Sequence, residues 1–449
     1  MVRWRMPRHW KFVSSLRLLF AVIVTVVACC RAHAAAPVVL ITNLPPYGFT
    51  NDLAGRVLNA NSATQAVAVF IFVPGYGWVS KPTCVQPLTP IQPDGSWSAD
   101  ITTGGGDTNA TRVAALLVGT NYNQPCVLGL PNLPTNVYAQ ASAKAVITRA
   151  QPGVRFLNFS GYDWWVKNYA TPVGPGPNYF SDSTNNVWTD TNGWLHLRIT
   201  HRSNAWQCAE IVSARTFGYG DYRFELNSPA DALDPNITLG LFTWSDDPAY
   251  TYREIDVECG RWNVPADTNN AQFVVQPYNV GGHLVRYRVP PGVTNSTHLF
   301  NWQPAQISHA SQRGPYYPNP NPTNVIATWS YALTVPQTGD ENVRLNLWLF
   351  QGAPPTDNQE SEVILKNFQF VPPGTPKSAV LRDSGVMTLS HLQLLVEGEP
   401  DWRYQIQTST NLTGWLDVGT ILATNDVMGF TVTNAPESGA WFFRTVTLP

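Results

Sequence analysis

Short apolar runs alternate with turn-forming clusters along the first third of the chain. One apolar run covers residues 67–73, and clusters rich in Gly, Pro and Asp cover residues 92–95 and 103–107. Apolar runs of this length, closed by turn residues, are typical of β-strands joined by turns. The pattern therefore predicts a small β-sandwich from about residue 35 to residue 150. This segment has no cluster of acids, histidines or nucleophiles that would indicate a site.

The strand-and-turn pattern continues in a second unit, residues 151–371, which a proline-rich segment at 372–376 closes as a linker would. A third unit, residues 378–449, resembles the small C-terminal β-modules of exported bacterial proteins. Whether this third unit binds sugar, a cell surface or nothing stays open. A chain of 449 residues is long enough for these domains, and we expect all of them to be all-β.

Composition agrees with an all-β protein. Charged residues make up only 13% of the chain, while Pro, Gly and Trp number 37, 32 and 17, a balance that leaves few long helices. The formal net charge is −2, and Lys and Arg do not cluster beyond the N-terminus. Since nucleic acid is bound through basic surfaces, we expect no nucleic-acid partner.

The first 34 residues are typical of a secretory signal peptide. Basic residues precede an apolar run at 18–28, and the small-residue site Ala-His-Ala follows at 32–34. The run is too short for a confident membrane span, so we expect no membrane span and a secreted or extracellular protein. An alternative is lipid attachment at Cys29, because residues 26–29 are a marginal match to that pattern.

The candidate chemistry lies in the second unit, on the segment that contains Glu254, Asp256 and Glu258. If this segment is a strand, residues at every second position share a face, so the three acids point one way while Ile255 and Val257 point into the core. Neighbouring carboxylates raise one another's pKa, which suits a general acid that works beside an ionised nucleophile. An acidic solvated face or a calcium site are the alternatives.

Spacing along a strand leaves the mechanism open. Four residues separate the Cα atoms of Glu254 and Glu258 by about 13 Å. A retaining glycosidase holds its two carboxyl groups roughly 5 to 5.5 Å apart. The two side chains would therefore have to lean toward each other over Asp256.

The segment 254–258 has the form Glu-x-Asp-x-Glu, and it resembles the signature of glycoside hydrolase family 16, the lichenase and laminarinase group. Three further segments are similar to the family in order and separation: residues 209–224, 300–304 and 346–348. Together these segments cover most of residues 151–371.

The resemblance implies a concanavalin A-like β-sandwich, or jelly roll, whose cleft binds a β-linked polysaccharide. It implies a retaining mechanism in which Glu254 is the nucleophile, Glu258 is the general acid/base and Asp256 holds and tunes the nucleophile. Substrate-binding residues are expected at positions that match the family's contacts or line the same cleft, namely Glu210, Tyr252, Gln276, Asn346 and Trp348. The first unit in turn resembles the Ig-like accessory modules found beside carbohydrate-active domains.

The sequence departs from the lichenase pattern at three places. Tyr252 stands where lichenases have Trp, and Val274 and Gln276 stand where they have Asn and Tyr. These changes put lichenase specificity in doubt and leave the two glutamates untouched. Residues 308–314 replace the family's usual turn, which we expect to alter a loop.

Four cysteines remain beyond the predicted signal peptide. In an oxidising compartment Cys84 and Cys126 are expected to form a disulfide. Cys208 and Cys259 could form a second bridge or remain buried thiols. Neither the cysteines nor the dispersed histidines have zinc-site spacing, so we expect no cofactor, with a structural calcium ion as the exception to consider.

Two classes of function stay open. The chain is either a polysaccharide hydrolase, or a transglycosylase if its cleft excludes water, or else a binding or structural protein that uses a lectin-like fold without catalysis. The complete Glu-x-Asp-x-Glu triplet favours the enzyme, and we expect it to act as a monomer.

Overall fold

The computed structural model describes residues 37–317, 320–373, 379–387, 391–398, 403–422, 427–433 and 441–448. The predicted signal peptide, with the alternative lipid attachment site, lies outside these residues, as does the linker segment 374–376. Within the described ranges no helix combines the length and apolar character that a membrane crossing would need.

The N-terminal part contains two antiparallel sheets and one short α-helix. Its elements in chain order are β1 (Val38–Asn43), β2 (Leu53–Leu58), β3 (Gln65–Val73), β4 (Gly77–Lys81), β5 (Leu88–Pro90), β6 (Ser96–Ala99), β7 (Arg112–Gly119), β8 (Leu128–Leu130), α1 (Thr135–Ala139) and β9 (Ala143–Thr148). One sheet has the order β1-β2-β6 and the other β8-β4-β3-β7-β9, with β5 beside β3. Its Ig-like character stays a prediction.

A hydrophobic core lies between these two sheets, where Leu53 and Trp97 pack with Val67 and Val113. Cys84 and Cys126 form a disulfide, as predicted. The larger sheet buries its other face against α1.

The middle part contains seventeen strands among the described residues. They are β10 (Phe156–Phe159), β11 (Tyr162–Val166), β12 (Tyr169–Val173), β13 (Asn178–Phe180), β14 (Val187–Thr189), β15 (Leu195–Arg202), β16 (Ala205–Ser213), β17 (Gly220–Asn227), β18 (Ile237–Trp244), β19 (Ile255–Cys259), β20 (Ala271–Val275), β21 (Leu284–Tyr287), β22 (Asn295–Trp302), β23 (Ile307–Arg313), β24 (Val325–Tyr331), β25 (Asn342–Leu349) and β26 (Ser361–Val371).

Fifteen of these strands form a two-layered β-sandwich of the predicted jelly-roll class. The front sheet has the order β10-β11-β16-β25-β18-β19-β20-β21. The back sheet has the order β14-β15-β26-β17-β22-β23-β24. Residues 308–313, which the sequence placed in an altered loop, instead continue β23 in the back sheet, because β22 and β24 supply hydrogen-bonding partners on both sides.

One core fills the space between the two sheets. Leu241 and Val257 of the front sheet and Phe224 and Phe300 of the back sheet are all fully buried in it. Since side chains alternate along a strand, the residues between these core positions are turned outward. The outward face of the front sheet therefore carries the side chains that are available for a site.

The N-terminal part contacts the middle part through its last strand. The Thr148 amide donates to the Ala214 carbonyl at 2.5 Å, and the Thr216 amide donates to the Val146 carbonyl at 3.0 Å. Lys144 Nζ donates to the Thr338 carbonyl at 2.9 Å. These bonds fix β9 against the middle part.

The C-terminal part has two three-stranded sheets. Its strands are β27 (Val380–Met387), β28 (His391–Glu397), β29 (Arg403–Ser409), β30 (Leu416–Leu422), β31 (Val427–Thr433) and β32 (Phe442–Leu448). The sheet orders are β27-β28-β31 and β30-β29-β32, and Val396, Tyr404 and Ile406 are fully buried in their shared core.

Candidate active site

A row of in-register residues crosses the outward face of the front sheet. Glu210, Asn346, Gly240, Glu258 and Gln272 pair in this order across β16, β25, β18, β19 and β20. The core-facing neighbours Ile211, Leu345, Leu241 and Val257 are fully buried. The fold thus brings residues from distant parts of the chain into one line, with a carboxyl group near each end.

The three acids of the predicted triplet line one cavity of about 370 Å³, here called the front cavity. Three predicted binding residues, Glu210, Asn346 and Trp348, line the same cavity. The remaining lining residues were not predicted from the sequence, and they are Lys167, Gly174, Pro175, Phe242, Trp244 and Arg344.

The two remaining predicted binding residues contact the lining without belonging to it. Tyr252 stacks on Trp244 with a 4.4 Å centroid separation and a 7° interplanar angle. Gln276 Nε2 donates to Asp256 Oδ2 at 3.3 Å. Both therefore act on the cavity through a lining residue.

Burial raises the pKa of all three carboxyl groups. Burial first, and then the negative charge of Glu258, raises the pKa of Glu254 to about 8, although Arg344 opposes the shift. Burial, with the charges of the two glutamates, raises the pKa of Asp256 well above its usual range. Burial also raises the pKa of Glu258, against the hydrogen bond from Gln272. The three acids consequently titrate as a group and hold protons above the usual pH range of carboxyls.

Glutamine side chains support two of the acids from β20 and from the residue that follows it. Gln272 Nε2 donates to Glu258 Oε2 at 2.7 Å, and Gln276 supports Asp256 as described above. A hydrogen bond to a carboxylate favours its ionised form. These two amides therefore limit how far burial can raise the pKa of Glu258 and Asp256.

Glu210 is fully buried and has three partners. It accepts hydrogen bonds from Lys167 Nζ at 2.9 Å, Asn346 Nδ2 at 3.2 Å and Arg344 Nη1 at 3.3 Å. These contacts orient Asn346, whose Oδ1 has no hydrogen-bond partner among the described residues. Glu210 thus positions the Asn346 amide, and the buried Oδ1 of that amide is left with unused hydrogen-bonding capacity.

Gly240 lies between Asn346 and Glu258 in the row. A Cβ atom at this position would come within 2.4 Å of Asn346 Oδ1, closer than any real side chain allows. The glycine therefore leaves the space that the Asn346 amide occupies.

The backbone immediately before Glu254 is strained. Thr251, Tyr252 and Arg253 have φ values of 53°, 60° and 50°, in the left-handed region that residues other than Gly rarely adopt. Two hydrogen bonds hold the segment: the Ser245 amide donates to the Tyr252 carbonyl at 2.8 Å, and Thr243 Oγ1 donates to the Arg253 carbonyl at 2.7 Å.

The Arg253 side chain anchors this strained segment in a buried polar cluster. Its guanidinium donates to the Gln337 carbonyl at 2.9 Å and to Asp247 Oδ2 at 3.1 Å, and it lies 3.9 Å from carboxylate oxygens of both Asp340 and Glu341. The segment that leads into the three acids is therefore held by several contacts.

One of the unpredicted lining residues had a signal in the sequence. Arg344 precedes Asn346 and Trp348 at the same two-residue spacing, which places all three on one face of a strand. No sequence pattern indicated Lys167. Its place beside the cavity depends on a long-range contact, in which its backbone amide donates to the Glu210 carbonyl at 3.0 Å. Cys208 and Cys259 are buried free thiols, so of the two alternatives the bridge is not formed.

No group of three or more His, Cys, Asp or Glu side chains is arranged to hold a metal ion in the ranges that the structure describes.

Comparison with known proteins gives similarity to solved structures only. A scan against models of protein families and a search of curated proteins each found no match. Among solved structures, a Bacillus licheniformis β-glucanase is 21% identical over 49% of this chain and 100% of its own, with a TM-score of 0.37. A β-1,3-1,4-glucanase (lichenase) from a mouse hindgut metagenome is 23% identical over 47% of this chain and 94% of its own, with a TM-score of 0.34.

A third similar structure is described as an immunostimulatory antigen and pseudo β-1,3-glucanase of Mycobacterium tuberculosis. It is 20% identical over 45% of this chain and 88% of its own, with a TM-score of 0.35.

Proposed function

We propose that this chain is a secreted glycoside hydrolase of the family 16 type that cleaves a β-linked polysaccharide with retention of configuration. The observation that carries the proposal is the row of three acids on β19 and the residue before it, all lining one cavity of about 370 Å³. An amide acceptor at Asn346 and an aromatic surface at Trp348 line the same cavity, and both suit a sugar ligand.

We assign the roles that the resemblance to family 16 implies. Glu254 attacks the anomeric carbon and forms the covalent intermediate, while Glu258 donates its proton to the leaving oxygen. Glu258 then accepts a proton from water in the second step. Asp256 stands between them, and the charges of both glutamates raise its pKa, so its ionisation is coupled to theirs.

The raised pKa values set a condition on this mechanism. A nucleophile must be ionised, whereas a general acid must hold a proton. The active form of the site therefore has an ionised Glu254 and a protonated Glu258. Arg344 stabilises the charge on Glu254. We therefore expect the pH optimum of activity to be neutral to alkaline, above the pH optimum usual for a pair of catalytic carboxyl groups.

Reducing-sugar release from β-glucans, galactans and agars tests whether the protein is an enzyme. Glu254→Ala should abolish turnover of natural polysaccharide, and added azide should restore cleavage of an activated aryl glycoside with an inverted glycosyl azide as product. Glu258→Ala should retain activity on the activated glycoside, because its leaving group needs no proton, and azide should then give a product of retained configuration.

Glu225→Ala serves as the matched control, since Glu225 is a half-buried glutamate on β17 of the back sheet. This variant should keep wild-type rates. Full wild-type rates in both the Glu254→Ala and Glu258→Ala proteins would contradict the proposed catalytic pair, whereas a wild-type protein that releases no reducing sugar would favour a binding protein.

A further inference from the structure

A second cavity of about 370 Å³ lies where the N-terminal part meets the middle part, and it is here called the junction cavity. Trp165, Asn168 and Tyr169 line it from the middle part, and Phe72 and Arg112 line it from the N-terminal part. The mechanism proposed above uses none of these side chains.

The junction cavity lies on the same sheet face as the three acids. A second in-register row crosses the front sheet through Trp165, Val212, Arg344, Phe242 and Asp256. The preceding residue of β11, Trp164, is fully buried in the core, so Trp165 is turned outward. Four strand spacings separate Trp165 from Asp256, or about 19 Å, which is long enough for several sugar residues.

Arg344 joins the two cavities, because its side chain lines both. One end of its guanidinium is bound to Glu210 at 3.3 Å. Its Nε atom is buried and has no hydrogen-bond partner within the described part of the chain. A buried donor without a partner is unfavourable, and an oxygen atom of a ligand that passes from one cavity to the other would satisfy it.

The junction cavity has the surface chemistry of a sugar site. Trp165 is half-buried, and the neighbouring Tyr169 is 47% exposed, so both rings can receive the apolar face of a sugar. Asn168 and Asp182 also line the cavity. Neither side chain has a hydrogen-bond partner among the described residues, which leaves an amide and a carboxylate for sugar hydroxyls.

The wall from the N-terminal part is held in place. Arg112 forms an ion pair with Asp340 at 3.4 Å, and its guanidinium lies 4.5 Å from the centre of the Phe72 ring. The Thr148 to Ala214 hydrogen bond described above fixes the neighbouring strand. A wall fixed in this way loses little conformational freedom when a ligand binds.

We propose that the junction cavity is a distal subsite that binds sugar residues of the same polysaccharide chain whose cleavage site lies at the three acids. The N-terminal part then contributes one wall of the binding cleft. This inference rests on the proposed function for the identity of the ligand.

The test compares long and short substrates in the full-length protein. Trp165→Ala and Tyr169→Ala should each lower kcat/KM on polysaccharide about tenfold, the usual scale for loss of one aromatic contact. Both variants should keep wild-type kcat/KM on an activated aryl disaccharide, which is too short to reach the junction. Trp188→Ala is the matched control, because Trp188 is a half-buried tryptophan on β14 of the back sheet.

Binding is measured separately by gel retardation in mixed-linkage β-glucan, laminarin and agarose, with Glu254→Gln as the parent protein. Adding Trp165→Ala or Tyr169→Ala to this parent should weaken retardation, and adding Trp188→Ala should not. Because Tyr169 is exposed, its variant tests the site even if Trp165→Ala fails to fold.

The outcomes separate the two proposals. Equal loss on the long and the short substrate, or wild-type behaviour of Tyr169→Ala on both, would overturn the distal subsite and leave the hydrolase intact. A wild-type protein that cleaves none of the polysaccharides would contradict the proposed function. The subsite is then judged on gel retardation, where unchanged mobility of the variants overturns it.

Discussion

Replacing Glu254 by Gln should stabilise the folded protein at alkaline pH while it removes the proposed nucleophile. Burial and the charge of Glu258 raise the pKa of Glu254 from 4.5 to about 8 in the folded state. Below pH 4.5 this carboxyl group is protonated in both the folded and the unfolded chain. As the pH rises from 4.5 to 8, the unfolded chain ionises while the folded site does not, so the free energy of unfolding falls.

The size of the effect follows from the pKa. At about 1.4 kcal/mol per pH unit, the interval from 4.5 to 8 gives a ceiling of about 5 kcal/mol. Solvent reaches the half-buried carboxyl group, and its ionisation is coupled to that of the other two acids. Both effects reduce the expected gain in the free energy of unfolding to about 2 kcal/mol. For a unit of some 200 residues this corresponds to a melting temperature about 4 to 8 °C higher.

The assay is differential scanning calorimetry of the wild-type and Glu254→Gln proteins at pH 4.5, 6.5 and 8.5. The difference in melting temperature should be near zero at pH 4.5 and should grow toward pH 8.5. Glu225→Gln, on the back sheet, provides the control for loss of a carboxyl group elsewhere. A constant difference across the three pH values, or a variant less stable at pH 8.5, would refute the reasoning.

Three further changes test the site and its supports. Gly240→Ala should lower kcat/KM at least tenfold, because its Cβ would lie 2.4 Å from Asn346 Oδ1, and near-normal kinetics would show that the amide can move aside. Arg253→Met should destabilise the protein by about 3 kcal/mol in urea unfolding, since it leaves buried Asp247 unpaired, and Arg253→Lys should recover part of the loss. Deleting residues 378–449 should leave unfolding of the middle part unchanged in calorimetry, and a broadened or lower transition would place the domain boundary elsewhere.

The sequence alone determined the features that depend on local periodicity. Side chains alternate along any strand, so the spacing of Glu254, Asp256 and Glu258 was enough to predict that they share a face and that Val257 enters the core. Short punctuated apolar runs likewise predicted an all-β chain. The disulfide between Cys84 and Cys126 was predicted from the expected oxidising compartment and from their position in one module.

Only the tertiary structure decided which strands are neighbours. Pairing and register bring Gln272 to Glu258 and join Lys167, Glu210 and Arg344 in one polar cluster, although these residues are far apart along the chain. The same long-range pairing made residues 308–313 a strand of the back sheet. Local pattern carries no information about such contacts, because register depends on the packing of both sheets around their shared core.

The strained segment before Glu254 is a further feature that the local sequence pattern does not predict. Three successive residues without a glycine, Thr251 to Arg253, contain no sequence signal for a left-handed backbone. They adopt it because Arg253 is bound in a buried cluster and Tyr252 stacks on Trp244. The sequence thus determines that the three acids alternate with core residues. The tertiary structure of the sandwich determines where those acids lie in the cavity and from which direction they enter it.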